Sequence, residues 1–189
     1  MTAEDQTDGT RPIASCEPGA EARCYRHDVS MTEGSSHTRD PISTRLGLFL
    51  DDLRSELGDA ASIVVEARDG WRTFDLRPTR EGALDVFWTD FYLLGDGSPG
   101  DALQVEAGHQ GGRWELGRDQ DDLLLLIDLV RSVVAGRVIE VFGPARSRVE
   151  VTLSDGTRKV EIGARAPVGC LPVPGWMRFG RRVKYAPYR

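Results

Sequence analysis

The side chains that carry most acid-base and metal chemistry are few here and far apart. The histidines are His27, His37 and His109, and the cysteines are Cys16, Cys24 and Cys170. Imidazole is the side chain whose ordinary titration falls near neutral pH, so a general base or a metal site recruits it first. Cys16, Cys24, His27 and His37 give a C-x7-C-x2-H-x9-H spacing, whereas zinc sites hold their ligands in closely spaced pairs. No metal or other cofactor is expected. Cys170, between Val168-Gly169 and Leu171-Pro172, has no base or cation beside it to lower its thiol pKa, so it reads as inert. Three cysteines with two near the N-terminus are not a disulfide framework, and reduced thiols are expected.

The acids are better explained by capping and turns than by cation binding. Asp119, Asp121 and Asp122, like Asp96 and Asp101 around Gly97, lack the alternating acid spacing, central glycine and distal glutamate of a calcium loop. Gly95, Gly97 and Gly100 spell G-x-G-x-x-G, but Asp101 and a strand-like segment follow them where a phosphate-binding loop needs a helix. An enzyme or small-ligand binder would have to assemble its pocket from distant positions such as His109, Asp90 and Arg113.

The remaining candidate is the C-terminal segment. Arg178, Arg181, Arg182, Lys184 and Arg189 interleave there with Trp176, Phe179, Tyr185 and Tyr188. Arginine among aromatics is the composition of a surface for phosphate, nucleic acid or an acidic partner. The same pattern suits an edge strand whose charges prevent sheet-to-sheet aggregation while its aromatics close the core. Trp176, Arg178, Phe179, Arg181, Arg182, Lys184 and Tyr185 are the expected partner-binding residues.

Charge separates this segment from the rest. The chain of 189 residues carries a formal charge of −6, with −4 in residues 1–40, −7 in residues 41–175 and +5 in residues 176–189. An acidic body argues against general nucleic-acid binding, which needs clustered cations along a phosphate track. The longest apolar run, Leu123 to Ile127, is broken by Asp128 and Arg131, well short of the ~18 residues a membrane span requires. With no basic and apolar leader at the N-terminus, a cytoplasmic location without membrane contact is expected.

These features must be positioned by a single domain over residues 41–189, preceded by a tail over residues 1–40. The tail is rich in Thr, Ser, Glu, Asp and Gly with only scattered apolar residues, too few to offset the entropy of ordering it, so disorder is expected. Met31 offers a second candidate start within it. All four tryptophans lie beyond residue 70, so the core is built downstream.

Asp40-Pro41 is a helix-start signal, and Ile42, Leu46, Phe49, Leu50, Leu53 and Leu57 recur on one helical face that Gly58 ends. Ser62–Ala67 and Trp71–Leu76 read as a hairpin about Asp69-Gly70, and Ala83–Leu94 as a long central strand. Leu103–Ala107 and Arg113–Leu116 form a second hairpin about Gly111-Gly112. Asp119 caps a second helix that Gly136 ends; its consecutive leucines predict near-complete enclosure across the sheet. Arg137–Phe142, Arg148–Ser154 and Thr157–Ile162 are further strands, residues 166–175 are irregular, and the segment from Trp176 adds a short strand.

The predicted fold is α+β: a mainly antiparallel sheet of about six or seven strands in two groups, with two packed helices. The two halves share helix, glycine stop and Asp-Gly hairpin punctuation, which any antiparallel α+β protein repeats. The expected function is non-catalytic protein interaction, of the kind by which small acidic immunity-type or regulatory proteins neutralise basic partners. The alternatives are the distant-residue pocket and phosphate or nucleic-acid binding through the C-terminal segment.

Overall fold

A computed structural model describes residues 40–68, 70–92, 101–109, 111–164 and 174–189. The N-terminal tail with Cys16, Cys24, His27, Met31 and His37, the turn residue Asp69, the glycine loop at 95–100 and Cys170 lie outside these residues.

The first helix, α1 (Pro41–Leu57), begins where the cap predicts. The Asp40 carboxylate accepts the Ile42 and Ser43 N–H groups at 3.3 and 3.0 Å, supplying acceptors for donors that have none inside the helix. All six residues of the expected apolar face are buried.

Five antiparallel strands follow in simple sequence order: β1 (Ala61–Arg68), β2 (Trp71–Pro78), β3 (Val86–Phe91), β4 (Ala102–Ala107) and β5 (Arg113–Leu116). Arg68 pairs with Trp71, so β1 and β2 are joined as a hairpin where the sequence places its turn signal. β3 is central but shorter than the predicted Ala83–Leu94. Glu81 and Gly82 form a turn in which Ala83 N–H returns to the Arg80 carbonyl, and Leu93 and Leu94 lie outside the described residues.

Helix α2 (Gln120–Val134) then leads into a second antiparallel sheet of β6 (Val138–Gly143), β7 (Arg146–Thr152), β8 (Arg158–Ala164) and β9 (Arg181–Lys184), ordered β8-β7-β6-β9. Asp119 caps α2 through the Asp122 N–H at 2.9 Å, and Gly136 adopts the left-handed φ of 68° that ends it. α2 touches β4 of one sheet and β7 of the other, so it bridges them. Its enclosure is partial: Leu123, Leu126, Leu129, Val130 and Val133 are buried, but Leu124 is 54% exposed. Five consecutive apolar residues point all round a helix, and neighbours cover only part of this one.

The described residues thus hold nine strands in sheets of five and four, with three helices, against the six or seven strands and two helices expected. The short β5 and β9 complete the sheets by pairing despite weak alternation. The third helix, α3 (Trp176–Phe179), is one turn where only strand was expected. Gly175 at φ 77° sets it up, and the Arg178, Phe179 and Gly180 N–H groups bond back to the Gly175 and Trp176 carbonyls.

One apolar core spans both sheets and both long helices. Phe74, Leu76, Val86, Trp88, Leu103 and Val105 of the first sheet join Val138, Val149 and Val151 of the second. Phe74 stacks on Trp88 with ring centroids 5.2 Å apart. The C-terminus straps this core: Tyr188 is buried, donates its hydroxyl to the Leu84 carbonyl at 2.7 Å and its N–H to the Val134 carbonyl at 3.0 Å. No helix among the described residues is long and apolar enough to cross a membrane.

Candidate functional site

The C-terminal candidates divide by burial. Trp176 and Tyr185 are buried, while Arg178, Phe179, Arg181, Arg182 and Lys184 are exposed. Phe179 stands 82% exposed, although phenylalanine is among the residues most often buried, and Met177 beside it is also exposed. Arg178 lies 5.8 Å from the Phe179 ring, and Arg181 covers the Phe142 ring at 4.7 Å. Phe142, Gly143, Pro144, Pro174, Trp176, Phe179, Gly180 and Arg181 line one shallow groove of about 350 Å³.

The groove is shaped by close backbone approach. A Cβ on Gly180 would stand 2.4 Å from the Phe142 carbonyl oxygen, and one on Gly143 would stand 2.5 Å from the Trp176 ring. Glycine at both positions lets α3 seat against the end of β6. Trp176 therefore forms the floor, with Arg146 5.7 Å from its ring, and Phe179 forms a projecting wall.

Behind this surface lies a polar cluster that sequence reasoning did not find. Glu140 of β6 is fully buried and accepts the Tyr185 hydroxyl at 2.6 Å and the His109 backbone N–H at 3.1 Å. The His109 ring lies 6.1 Å from both the Phe142 and Tyr185 rings. Burial, then the bond to Glu140 and its negative charge, push the Tyr185 phenol far above its ordinary value. The glycine loop carrying His109 docks tightly, since a Cβ on Gly111 would meet the Gly163 backbone nitrogen at 2.2 Å. His109 and Arg113 share a cleft of about 490 Å³ with Glu106 and Glu161.

Asp90 does not join them. It is fully buried on the inner face of β3 and accepts from Arg118 Nε at 2.7 Å and Arg72 Nη2 at 2.8 Å. Arg118, its side chain only 2% exposed, also bonds to Asp40 and to Ser43 Oγ at 2.9 Å, with Asp101 at 3.9 Å. This network ties the start of α1 to β2, β3, the residue before β4 and the approach to α2. The expected pocket of His109, Asp90 and Arg113 is thus split, with Asp90 committed to structure. Among the described residues no three His, Cys, Asp or Glu side chains stand together as metal ligands.

Burial alone would raise the Asp40 carboxyl, but hydrogen bonds from Arg118 and the Ser43 N–H outweigh it and hold the group below its usual 3.8. A carboxyl whose folded pKa is depressed stabilises the fold above the unfolded value, and that contribution disappears as pH falls through the folded value. Asp40→Asn keeps a capping oxygen and removes the titration. The expected result is a shallower loss of stability below about pH 5 than the parent shows, measured by urea denaturation at each pH. Parallel curves would refute the linkage.

No protein-family profile, curated protein or solved structure matches this chain.

Proposed function

We propose that the protein is a non-catalytic recognition domain that binds an acidic segment of another protein at the α3–β9 surface. The observation that carries this reading is Phe179, exposed beside an aromatic groove, with Arg178 5.8 Å from its ring, Arg181 in the groove lining, and exposed Arg182 and Lys184 further along β9. An aromatic anchor supplies affinity through buried apolar area, and the cations around it supply attraction and orientation. The burial of Trp176 and Tyr185 fits a rigid platform whose outer residues make the contact. The overall acidity of the chain makes this cationic end distinctive, and it favours a segment combining carboxylates with an apolar or aromatic residue.

Selection of a random-peptide display library on the immobilised protein tests this. Enrichment of acidic sequences with an aromatic or large aliphatic residue, lost when the bait is Phe179→Ala, is expected. Enrichment without acidic bias, or unaffected by Phe179→Ala, would overturn it. An oligonucleotide that outcompetes the selected peptides would favour nucleic-acid binding instead. The cleft shared by His109 and Arg113 supports a small polar ligand as the second reading. Arg113 is engaged there by Glu115 at 3.1 Å and Gln104 at 2.8 Å.

A further inference from the structure

The four strands that end the two sheets are β1, β5, β8 and β9, and three of them are guarded. β5 and β9 have four residues each, and β9 presents Arg181, Arg182 and Lys184. β8 points Lys159 and Glu161 toward the core side, in register with buried Val151 and Val149. Short length and inward charges are the usual protections of a free edge.

β1 has none of these. Its eight residues, Ala61-Ser-Ile-Val-Val-Glu-Ala-Arg68, pair one-for-one with β2 without a bulge or proline. Among the described residues no strand pairs with its other side, leaving a backbone edge about 26 Å long. Val64 and Val65 are 47% and 40% exposed on opposite faces of that edge. Val65 lies on the core side, in register with buried Phe74, and Val64 lies on the outer side beside Asp75.

We infer that β1 pairs antiparallel with β1 of a second copy, joining two five-stranded sheets into one of ten. A two-fold axis perpendicular to the sheet preserves its faces, so residues of equal parity must meet. Centring the axis on Val64 sets Val64 against its own counterpart and Ile63 against Val65 on both sides. Ser62 then faces Glu66, and Ala61 faces Ala67. The middle three positions become apolar pairs, and no charge meets its like, because Glu66 and Arg68 both lie in the C-terminal half and the axis carries them to opposite ends. This self-complementarity identifies the occupant as a second copy.

Sedimentation of the full chain over a concentration series, with Val64→Lys as comparison, tests the inference. The parent is expected to show a monomer–dimer equilibrium, weakened at least tenfold by Val64→Lys, where two like charges would meet. A second variant fixes the register. With Cys16, Cys24 and Cys170 replaced by serine, Val64→Cys is expected to form an intermolecular disulfide under mild oxidation, and Val160→Cys on β8 is not. A parent that stays monomeric to millimolar concentration, a dimer indifferent to Val64→Lys, or equal cross-linking at the two cysteines would overturn the inference.

Discussion

Arg118→Met is expected to destabilise the fold by about 3–5 kcal/mol, the cost of removing one partner from a buried ionic group. Methionine has comparable length and fills the space, so the loss is electrostatic rather than a cavity. Without the guanidinium, Asp90 and Asp101, both nearly inaccessible, lose a cation beside them, and Asp90 keeps its bonds from Arg72 and the Ser43 hydroxyl. The start of α1 loses the bond that fastens Asp40 to the strands. Arg118→Lys is expected to recover only part of the loss, because one ammonium cannot satisfy Asp90 through Nε and Asp40 with Ser43 through Nη2 together. Chemical denaturation of the three proteins measures this, and a cost below about 1 kcal/mol for Arg118→Met would class the network with weak surface pairs.

Glu140→Ala is expected to cost about 3 kcal/mol, since the Tyr185 hydroxyl and the His109 backbone N–H lose their acceptor inside the protein. Glu140→Gln separates charge from hydrogen bonding. It keeps an acceptor but removes the negative charge that, after burial, raises the Tyr185 phenol, so Tyr185 should titrate lower in this variant than in the parent. Ultraviolet difference spectra during alkaline titration report it. A phenol whose folded pKa is raised contributes stability that is complete below its unfolded value of 10.0 and is lost as pH rises through the folded one. Unchanged phenol titration in Glu140→Gln would mean that Glu140 does not act on Tyr185 as a charge.

Local signals were the most legible. The six apolar positions of α1, the aspartates that cap both long helices, the hairpin of β1 and β2 and the alternation of Val149, Val151 and Leu153 each depend on residues a few positions apart, and each is present. The polar clusters escaped because Arg118 meets Asp90 across 28 residues and Asp40 across 78, and Glu140 meets Tyr185 across 45. A signal for them existed. Asp90 continues the inward phase of Val86 and Trp88, and Glu140 that of Val138, and a carboxylate in core phase requires a partner. The α3 turn was hidden by aromatic, strand-like composition, which Gly175 and the docking of Trp176 override. Of the C-terminal candidates, composition identified the segment, but only the fold distinguishes buried Trp176 and Tyr185 from exposed Phe179 and its arginines.

Recognition through that exposed set is read out by a single binding measurement. The strongest acidic, aromatic peptide from the display selection is titrated calorimetrically into the parent, Phe179→Ala and Arg181→Glu/Arg182→Glu at low and high salt. Phe179→Ala should weaken binding about thirtyfold at both salts, matching the ~2 kcal/mol of a hot-spot aromatic. The charge reversal should weaken it strongly at low salt and less at high salt, where screening already removes the attraction. Equal affinity for all three proteins would contradict the account and place recognition elsewhere on the molecule.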